Sequence, residues 1–171
     1  MSTEKLFLEY STRKLSQLAN RIQECLRRLS EEQIWARGSE GENAVGNLVL
    51  HLAGNVRQWI GSGVGRLPDV RDRDAEFTAR GLISREELSN RLDQTVKEAN
   101  SIIEGLTASR LQERVTIQNY EVSVLEAVYH VVEHFSQHAG QIIFATKLMT
   151  RQDLGFYGHL STKAGHQETV P

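Results

Sequence analysis

The sequence predicts an all-α protein, a four-helix bundle with a long loop between its second and third helices. Four segments repeat apolar residues at the spacing of an amphipathic helix. The two prolines are Pro68 and Pro171, so little in the chain interrupts a helix. Capping boxes led by serine precede helical stretches at Ser30, Ser84 and Ser123.

The first helix is predicted over about residues 4–29. Its apolar residues are Leu8, Leu15, Leu18, Ile22, Leu26 and Leu29. Cys25 lies beside this stripe, and we interpret it as a small buried hydrophobic residue rather than a reactive thiol. The capping box from Ser30 to Gln33 predicts a short helical turn that ends near Trp35.

The second helix, from about residue 43 to 60, carries an unusual polar face. Asn47, Asn55 and Gln58 fall within about 60° of His51 on a helical wheel. An apolar flank adjoins this face and consists of Val45, Leu48, Leu52 and Trp59. Buried polar side chains need hydrogen-bond partners, so the polar face either meets solvent or lines a cavity.

Residues 61–83 have the composition of a long irregular connection. Glycines alternate at its start, and a charged run follows Pro68, namely Arg71, Asp72, Arg73, Asp74 and Glu76. Loops of this length in compact domains are usually functional or disordered. Two interpretations stay open: a solvated surface loop, or a loop whose part from Gly61 to Phe77 forms the rim of a site. The segment from Arg71 to Phe77 has no assigned role.

The third helix is predicted to begin at the Ser84 capping box and to end near Gly105. Its core stripe is Leu88, Leu92, Val96, Ala99, Ile103 and Leu106. Residues 107–120 form the next connection, with an extended piece at 114–118 that is too short to build a sheet. The fourth helix is predicted over about residues 124–149. Its apolar face is Val124, Val128, Val131, Phe135, Ile142, Ala145 and Met149, with His138 at the centre and therefore expected to be buried.

The composition is ordinary for a globular protein, at 39% hydrophobic and 25% charged residues. We expect one domain over residues 1–171, with a core at about 4–150 and a tail at 151–171. The net charge of −2, with acids and bases interleaved, predicts no nucleic-acid partner. The single cysteine excludes an internal disulfide. Neither a signal peptide nor an apolar membrane span is recognisable, so we predict a cytoplasmic protein with no membrane partner.

Two histidines on the fourth helix suggest a metal site. His134 and His138 are four residues apart and share one helix face, so their imidazoles can reach a common point. His51, on the polar face of the second helix, is the natural third ligand, because metal sites in bundles form between facing helices. The alternative is a set of core histidines that pair with other polar groups.

The remaining histidines and one glutamine are weaker candidates. His130 precedes His134 by one turn, and it could be an alternative ligand or a group behind the ligands, although a rim position fits better. Gln141 follows His138 by three residues and could orient a ligand or a water. His159 and His166 are predicted to lie on the surface.

The run from His51 to Asn55, His-Leu-Ala-Gly-Asn, and the run from His134 to Ile142, His-Phe-Ser-Gln-His-Ala-Gly-Gln-Ile, together resemble the DinB/YfiT-like superfamily of bacterial bundles. The segment from Trp59 to Phe77 is similar to a poorly characterised branch of that superfamily. The resemblance covers residues 4 to 160, and the order and spacing of the motifs carry it.

The resemblance implies an up-down-down-up bundle, a divalent metal held by His51, His134 and His138, and a homodimer. Zinc or nickel is the expected ion, with iron, manganese or copper as alternatives, and three imidazoles suit zinc, nickel, iron and copper alike. Some relatives use low-molecular-weight thiols such as mycothiol or bacillithiol, whereas others have no established activity.

Three hypotheses for function follow. The first is a metal-dependent hydrolase or thiol-dependent transferase, since three histidines leave coordination positions open for a small-molecule substrate. Asn47, Asn55 and Gln58 would then orient substrate or water. The second is a non-catalytic metal-binding or dimeric stress-response or interaction protein. The third is a bundle without metal.

Overall fold

The computed structural model, which describes residues 1–158, confirms the all-α bundle that the sequence predicts. The helices are α1 (Thr3–Arg28), α2 (Glu31–Trp35), α3 (Val45–Val56), α4 (Arg73–Thr78), α5 (Arg85–Glu104), α6 (Ala108–Gln112) and α7 (Val124–Thr150). Helices α1, α3, α5 and α7 form the bundle. Within residues 1–158, no helix is long and apolar enough to cross a membrane.

Two helices of the bundle, α1 and α3, each pack against α5 and α7. The predicted apolar stripe of α1 is buried throughout, and the apolar residues of α3, of the segment that follows it, of α5 and of α7 form most of the remaining core. Cys25 is buried with them, as the sequence predicts. Because α3 and α7 are neighbours, polar side chains on their facing sides can meet.

The predicted capping boxes set the helix boundaries. Ser30 and Ser123 each accept a hydrogen bond from the backbone N–H three residues later, and their own N–H groups are bound by the side chains of Gln33 and Glu126. Ser84 caps α5 by accepting from the N–H of Glu87. These local bonds satisfy donors that the first helical turn leaves free, which is why the helix starts were predictable.

The predicted end of the second helix is wrong. Helix α3 passes at Arg57 into a π-helix that spans Arg57–Val64, so the chain stays helical through residues that the sequence suggested were a loop. Gly63 allows this turn to pack closely, because a Cβ atom there would clash with the side chain of Ile117. The extended helix therefore packs closely against a residue that is distant in the sequence.

Helix α4, helix α6 and a two-stranded hairpin also differ from the sequence prediction, because residues 61–83 and 107–120 were expected to be connections. Helix α4 interrupts the expected irregular loop, and it begins where the carboxylate of Asp72 accepts from the N–H of Ala75. Strands β1 (Arg114–Ile117) and β2 (Tyr120–Ser123) form an antiparallel two-stranded hairpin, so the extended piece does pair. Gln118 and Asn119 connect them with φ values of 51° and 68°, as a type I′ turn requires.

Candidate metal site

Helices α3 and α7 bring together the three histidines that the sequence singled out. One ring nitrogen of each of His51, His134 and His138 lies within 4.8 Å of the corresponding atoms of the other two. The Nε2 atom of His134 is 3.1 Å from that of His51 and 3.2 Å from that of His138. Nitrogen ligands that surround one zinc ion at its usual bond length lie about 3.3 Å apart, so two of the three pairs have the spacing of a shared cation, and the third pair, His51 with His138, lies within 4.8 Å.

Hydrogen bonds fix which nitrogen of two of these rings carries the proton. His51 Nδ1 lies 3.0 Å from the carboxylate oxygen Oε2 of Glu76, and His138 Nδ1 lies 2.6 Å from the amide oxygen of Gln141. Both partners are acceptors, so Nδ1 is the donor in each ring. Arg71 Nη2 also lies 3.1 Å from His51 Nδ1, but it donates to Glu76 Oε2 at the shorter distance of 2.8 Å. The Nε2 atoms of His51 and His138 therefore point free lone pairs at His134.

No tautomer of His134 satisfies this arrangement. A proton on its Nε2 atom would face two acceptors, whereas a proton on Nδ1 would leave three lone pairs facing one another. In either case its buried Nδ1 atom has no hydrogen-bond partner among residues 1–158. A cation at the centre would satisfy all three Nε2 lone pairs, and the cluster is therefore chemically suited to hold one.

The surroundings keep the α7 imidazoles neutral. Burial and the neighbouring rings of His138, His51 and His130, together with Arg71, lower the pKa of His134 to about 3. Burial also lowers the pKa of His138, although its hydrogen bond to Gln141 opposes that shift. Neutral imidazole is the form that binds metals, so no proton has to leave at neutral pH before these rings can coordinate.

His51 is held by a buried carboxylate that the sequence analysis missed. Glu76 on α4 accepts from His51 and, through both oxygens, from Arg71 at 2.7 and 2.8 Å. The side chain of Arg71 is only 4% exposed and that of Glu76 8%. Burial by itself would raise the pKa of Glu76, but the hydrogen bonds from Arg71 and His51 outweigh it and hold the pKa below its usual value. The carboxylate is thus ionised.

Helix α4 lies beside His51 because one residue of α3 binds its backbone and another leaves space for its ion pair. The side-chain amide of Asn47 donates to the backbone oxygens of Glu76 and Ala79 at 2.8 and 3.2 Å. Gly54 leaves room for the ion pair, since a Cβ atom there would overlap the carboxylate of Glu76 and approach Arg71 Nε to 3.1 Å. The sequence signals for this arrangement were the helix cap at Asp72 and the charged run that follows Pro68.

The other predicted site residues take different places. Asn47 is fully buried and bonded to backbone, away from the histidine rings. Gln58 accepts from Arg71 Nη1 at 2.9 Å and donates to Asp69. Gln141 binds His138, as described above. His138 itself is half-buried rather than buried, because Phe135, Ala139 and Ile142 occupy the centre of the α7 stripe instead. His159 and His166 lie outside the described residues.

A cavity of about 450 Å³ opens beside the cluster. His51 and His134 form part of its wall, together with Asn55 and His130. The ring of His130 contacts that of Trp59 at 4.0 Å between centroids, with the ring planes tilted by 35°, and does not join the three converging nitrogens. Two of the three imidazoles are therefore accessible to a small molecule in this cavity.

The helices and the histidine cluster define a bundle of the DinB/YfiT-like kind. The chain is similar to a conserved protein from Enterococcus faecalis, with a TM-score of 0.73 and 16% identity over 89% of this chain and 99% of that chain. It is also similar to DinB-like proteins from Bacillus subtilis (TM-score 0.67, 15% identity, 86% and 97% covered) and Bacillus cereus (TM-score 0.66, 14% identity, 82% and 91% covered). Identities this low show the fold alone.

The chain belongs to the family described as "Protein of unknown function (DUF1572)", whose model matches residues 2–162. No curated protein matches it. The family and the fold neighbours together confirm the resemblance to this superfamily of poorly characterised proteins.

Proposed function

We propose that the protein is a divalent-metal enzyme in which His51, His134 and His138 hold the ion. The observation that carries this proposal is the convergence of three Nε2 atoms with too few protons to bond one another. Three imidazoles are a typical ligand set of catalytic rather than closed structural zinc sites. Zinc and nickel remain the expected ions.

The chain's own residues prepare the ligands. Glu76 accepts the Nδ1 proton of His51 and Gln141 that of His138, so both rings keep Nε2 unprotonated. Carboxylate and amide partners of this kind also fix ring orientation and raise ligand basicity. A divalent ion, when bound, would supply Lewis acidity and lower the pKa of a water or thiol. Hydrolysis and thiol-dependent transfer are the two reaction classes that this chemistry favours.

The direct test is metal content together with turnover. Protein purified without a histidine tag should contain about one divalent ion per chain by mass spectrometry of the metal. The holoprotein should then turn over a substrate in a screen of hydrolase and thiol-transfer reactions, and chelation should abolish that activity. Stoichiometric metal without any turnover would favour the non-catalytic metal-binding alternative, and a metal-free protein would favour a bundle with paired core histidines.

The homodimer implied by the resemblance is part of the proposal. Large apolar side chains on α7 are exposed, namely Leu125, Tyr129, Phe144 and Leu148. A second copy of the chain could cover such a face. Sedimentation equilibrium at micromolar concentration measures this directly, with a mass of twice 19.3 kDa expected. A cytoplasmic location likewise stays a prediction.

A further inference from the structure

The wall of the cavity beside the histidine cluster contains two polar atoms that nothing satisfies. Asn55 Oδ1 and Trp59 Nε1 are buried and have no hydrogen-bond partner among residues 1–158. Both residues line the cavity, and each is 4% exposed. Buried polar groups in folded proteins normally make hydrogen bonds. Two residues of one cavity wall that each carry an unbonded polar atom therefore indicate a site for a polar ligand. One of these atoms accepts and the other donates.

The cavity also has an uncompensated positive charge. Arg71 is committed to Glu76, and the one acid in the wall, Glu126, is bound by Ser123 and Arg114. Arg73 makes no ion pair within residues 1–158, and its guanidinium lies 5.0 Å above the ring of Phe77. A guanidinium at the mouth of a small cavity favours an anionic group, above all a carboxylate or phosphate.

The remaining wall is largely aromatic. The rings of Trp59 and His130, tilted by 35° to each other, form one side, and Tyr120, which is 62% exposed, lies at the edge. Such surfaces bind planar or apolar groups by stacking. At about 450 Å³, the cavity has the size of small-molecule sites and is too small for a folded partner.

We propose that this cavity binds a small carboxylate that also carries an amide group, as in an N-acylated amino acid or a dipeptide. Asn55 Oδ1 and Trp59 Nε1 are closed to solvent, so both side chains would have to turn toward the cavity when the ligand binds. The amide N–H of the ligand would then donate to Asn55 Oδ1, its amide oxygen would accept from Trp59 Nε1, and its carboxylate would face Arg73. The aromatic wall would hold the side chain. The inference rests on the proposed function, because the ligand is a substrate only if His51 and His134, in the same wall, hold a metal.

The two tryptophans provide an internal control for the test. The indole N–H of Trp35 already donates to the backbone oxygen of Ile83 at 3.1 Å, and Trp35 does not line the cavity. In ¹⁵N-labelled protein, titration with N-acetyl-L-phenylalanine should shift the indole signal of Trp59 saturably and leave that of Trp35 unchanged. The Trp35→Phe variant assigns the two signals. A titration in which neither signal moves would overturn the proposal.

Analogues of the probe test each predicted contact. N-acetyl-L-phenylalanine amide lacks the carboxylate, and 3-phenylpropanoate lacks the amide. Each should bind at least about tenfold more weakly than the parent, since each leaves a charged or buried group unpaired. Equal binding of all three compounds would show that only apolar stacking operates, and it would overturn the assignment.

Variants test the same contacts from the protein side, with binding measured by calorimetry. Trp59→Phe removes the N–H but keeps an aromatic ring against His130, and Arg73→Gln removes the charge. Both should weaken binding of the probe about tenfold. Arg13→Gln is the matched control, because Arg13 is exposed on α1 away from the cavity and should leave binding unchanged. Unchanged binding in both test variants would refute the proposal.

Metal content measured on the same samples separates this inference from the proposed function. Full metal occupancy with no probe binding would refute the ligand class and leave the metal site intact. Probe binding in a protein that takes up no metal would overturn the proposed enzyme, while the cavity would keep its ligand class without a catalytic role.

Discussion

The two sides of the histidine cluster are built differently. On α3, His51 is 7% exposed and is backed by a buried carboxylate, Glu76, which Arg71 clamps through both oxygens. On α7, His134 and His138 are half-buried, and His138 is backed by the neutral amide of Gln141, three residues further along the same helix. One side thus depends on a charged pair from another element, and the other on its own helix.

This difference separates local from tertiary control of a site. The α7 side requires only a helix, because residues three and four apart lie on one face of any helix. The α3 side requires the chain from the π-helix to α4 to fold back over α3. Glu76 then gives His51 a charged partner, whereas His138 has a neutral amide. We expect perturbations on the α3 side to have the larger effects.

Loss of a ligand should have the largest effect. His51→Ala and His138→Ala should each weaken zinc binding by more than about a hundredfold, beyond what loss of a supporting group costs. Titration calorimetry against a competing chelator measures this. His130→Ala is the matched control, because His130 contacts the ring of His134 without joining the cluster. If this control lost as much affinity, the three-histidine assignment would be wrong.

The Glu76→Gln variant should have the next largest effect. The amide cannot accept from both His51 and Arg71 as the carboxylate does, so zinc affinity should fall by about 10–100-fold. The buried guanidinium of Arg71 also loses its counter-charge, so the free energy of unfolding should fall as well. The exposed acid Glu87, which pairs with Arg91 on α5, provides the control variant Glu87→Gln. Equal zinc affinity in the two variants would contradict a role for Glu76.

Two glycine variants compare the two sides directly. Gly54→Ala should displace Glu76 from His51 and weaken zinc binding on the order of tenfold, since it acts only through the supporting carboxylate. Among residues 1–158, a Cβ atom at Gly140 on α7 would meet nothing within 4 Å beyond the backbone of its own helix, so Gly140→Ala should leave zinc affinity unchanged. It should raise the free energy of unfolding by about 0.5–1 kcal/mol, measured in urea. If Gly54→Ala and Gly140→Ala had the same zinc affinity, the proposed difference between the α3 side and the α7 side would be wrong.

The smallest effect is expected at Gln141. Its side chain is exposed, so water can replace the amide oxygen that accepts from His138 Nδ1. Gln141→Ala should therefore weaken zinc binding by less than about tenfold, which is below the usual loss of affinity when a residue that hydrogen-bonds a metal ligand is removed. Gln137→Ala, at another exposed position of α7, is the control. A loss as large as that of Glu76→Gln would reverse the proposed order.

Sequence reasoning predicted the α7 side almost completely. Its serine cap, its apolar stripe and the spacing of His134 and His138 are all local features. The prediction that His138 is buried was wrong, because the centre of the buried stripe falls on Ala139, one residue later. Sequence reasoning also predicted that His51 joins the histidine cluster, because buried polar side chains on the second helix need hydrogen-bond or metal partners.

The α3 side was predictable only in part. The π-helix packs closely at Gly63 against Ile117, which is far away in the sequence. The pairing of Glu76 with His51 spans 25 residues and depends on Asn47 binding the backbone of α4. Neither relation leaves a periodic signal, so a helical wheel cannot show it.

The sequence by itself determined the four helices, their caps and the three candidate ligands, because helix periodicity and capping are properties of neighbouring residues. Only the tertiary structure decided which nitrogen each ring presents. Glu76 and Gln141 take the Nδ1 protons of His51 and His138, and so the Nε2 atoms face the centre. Hydrogen-bond acceptors select a tautomer only once the fold has placed them beside the ring.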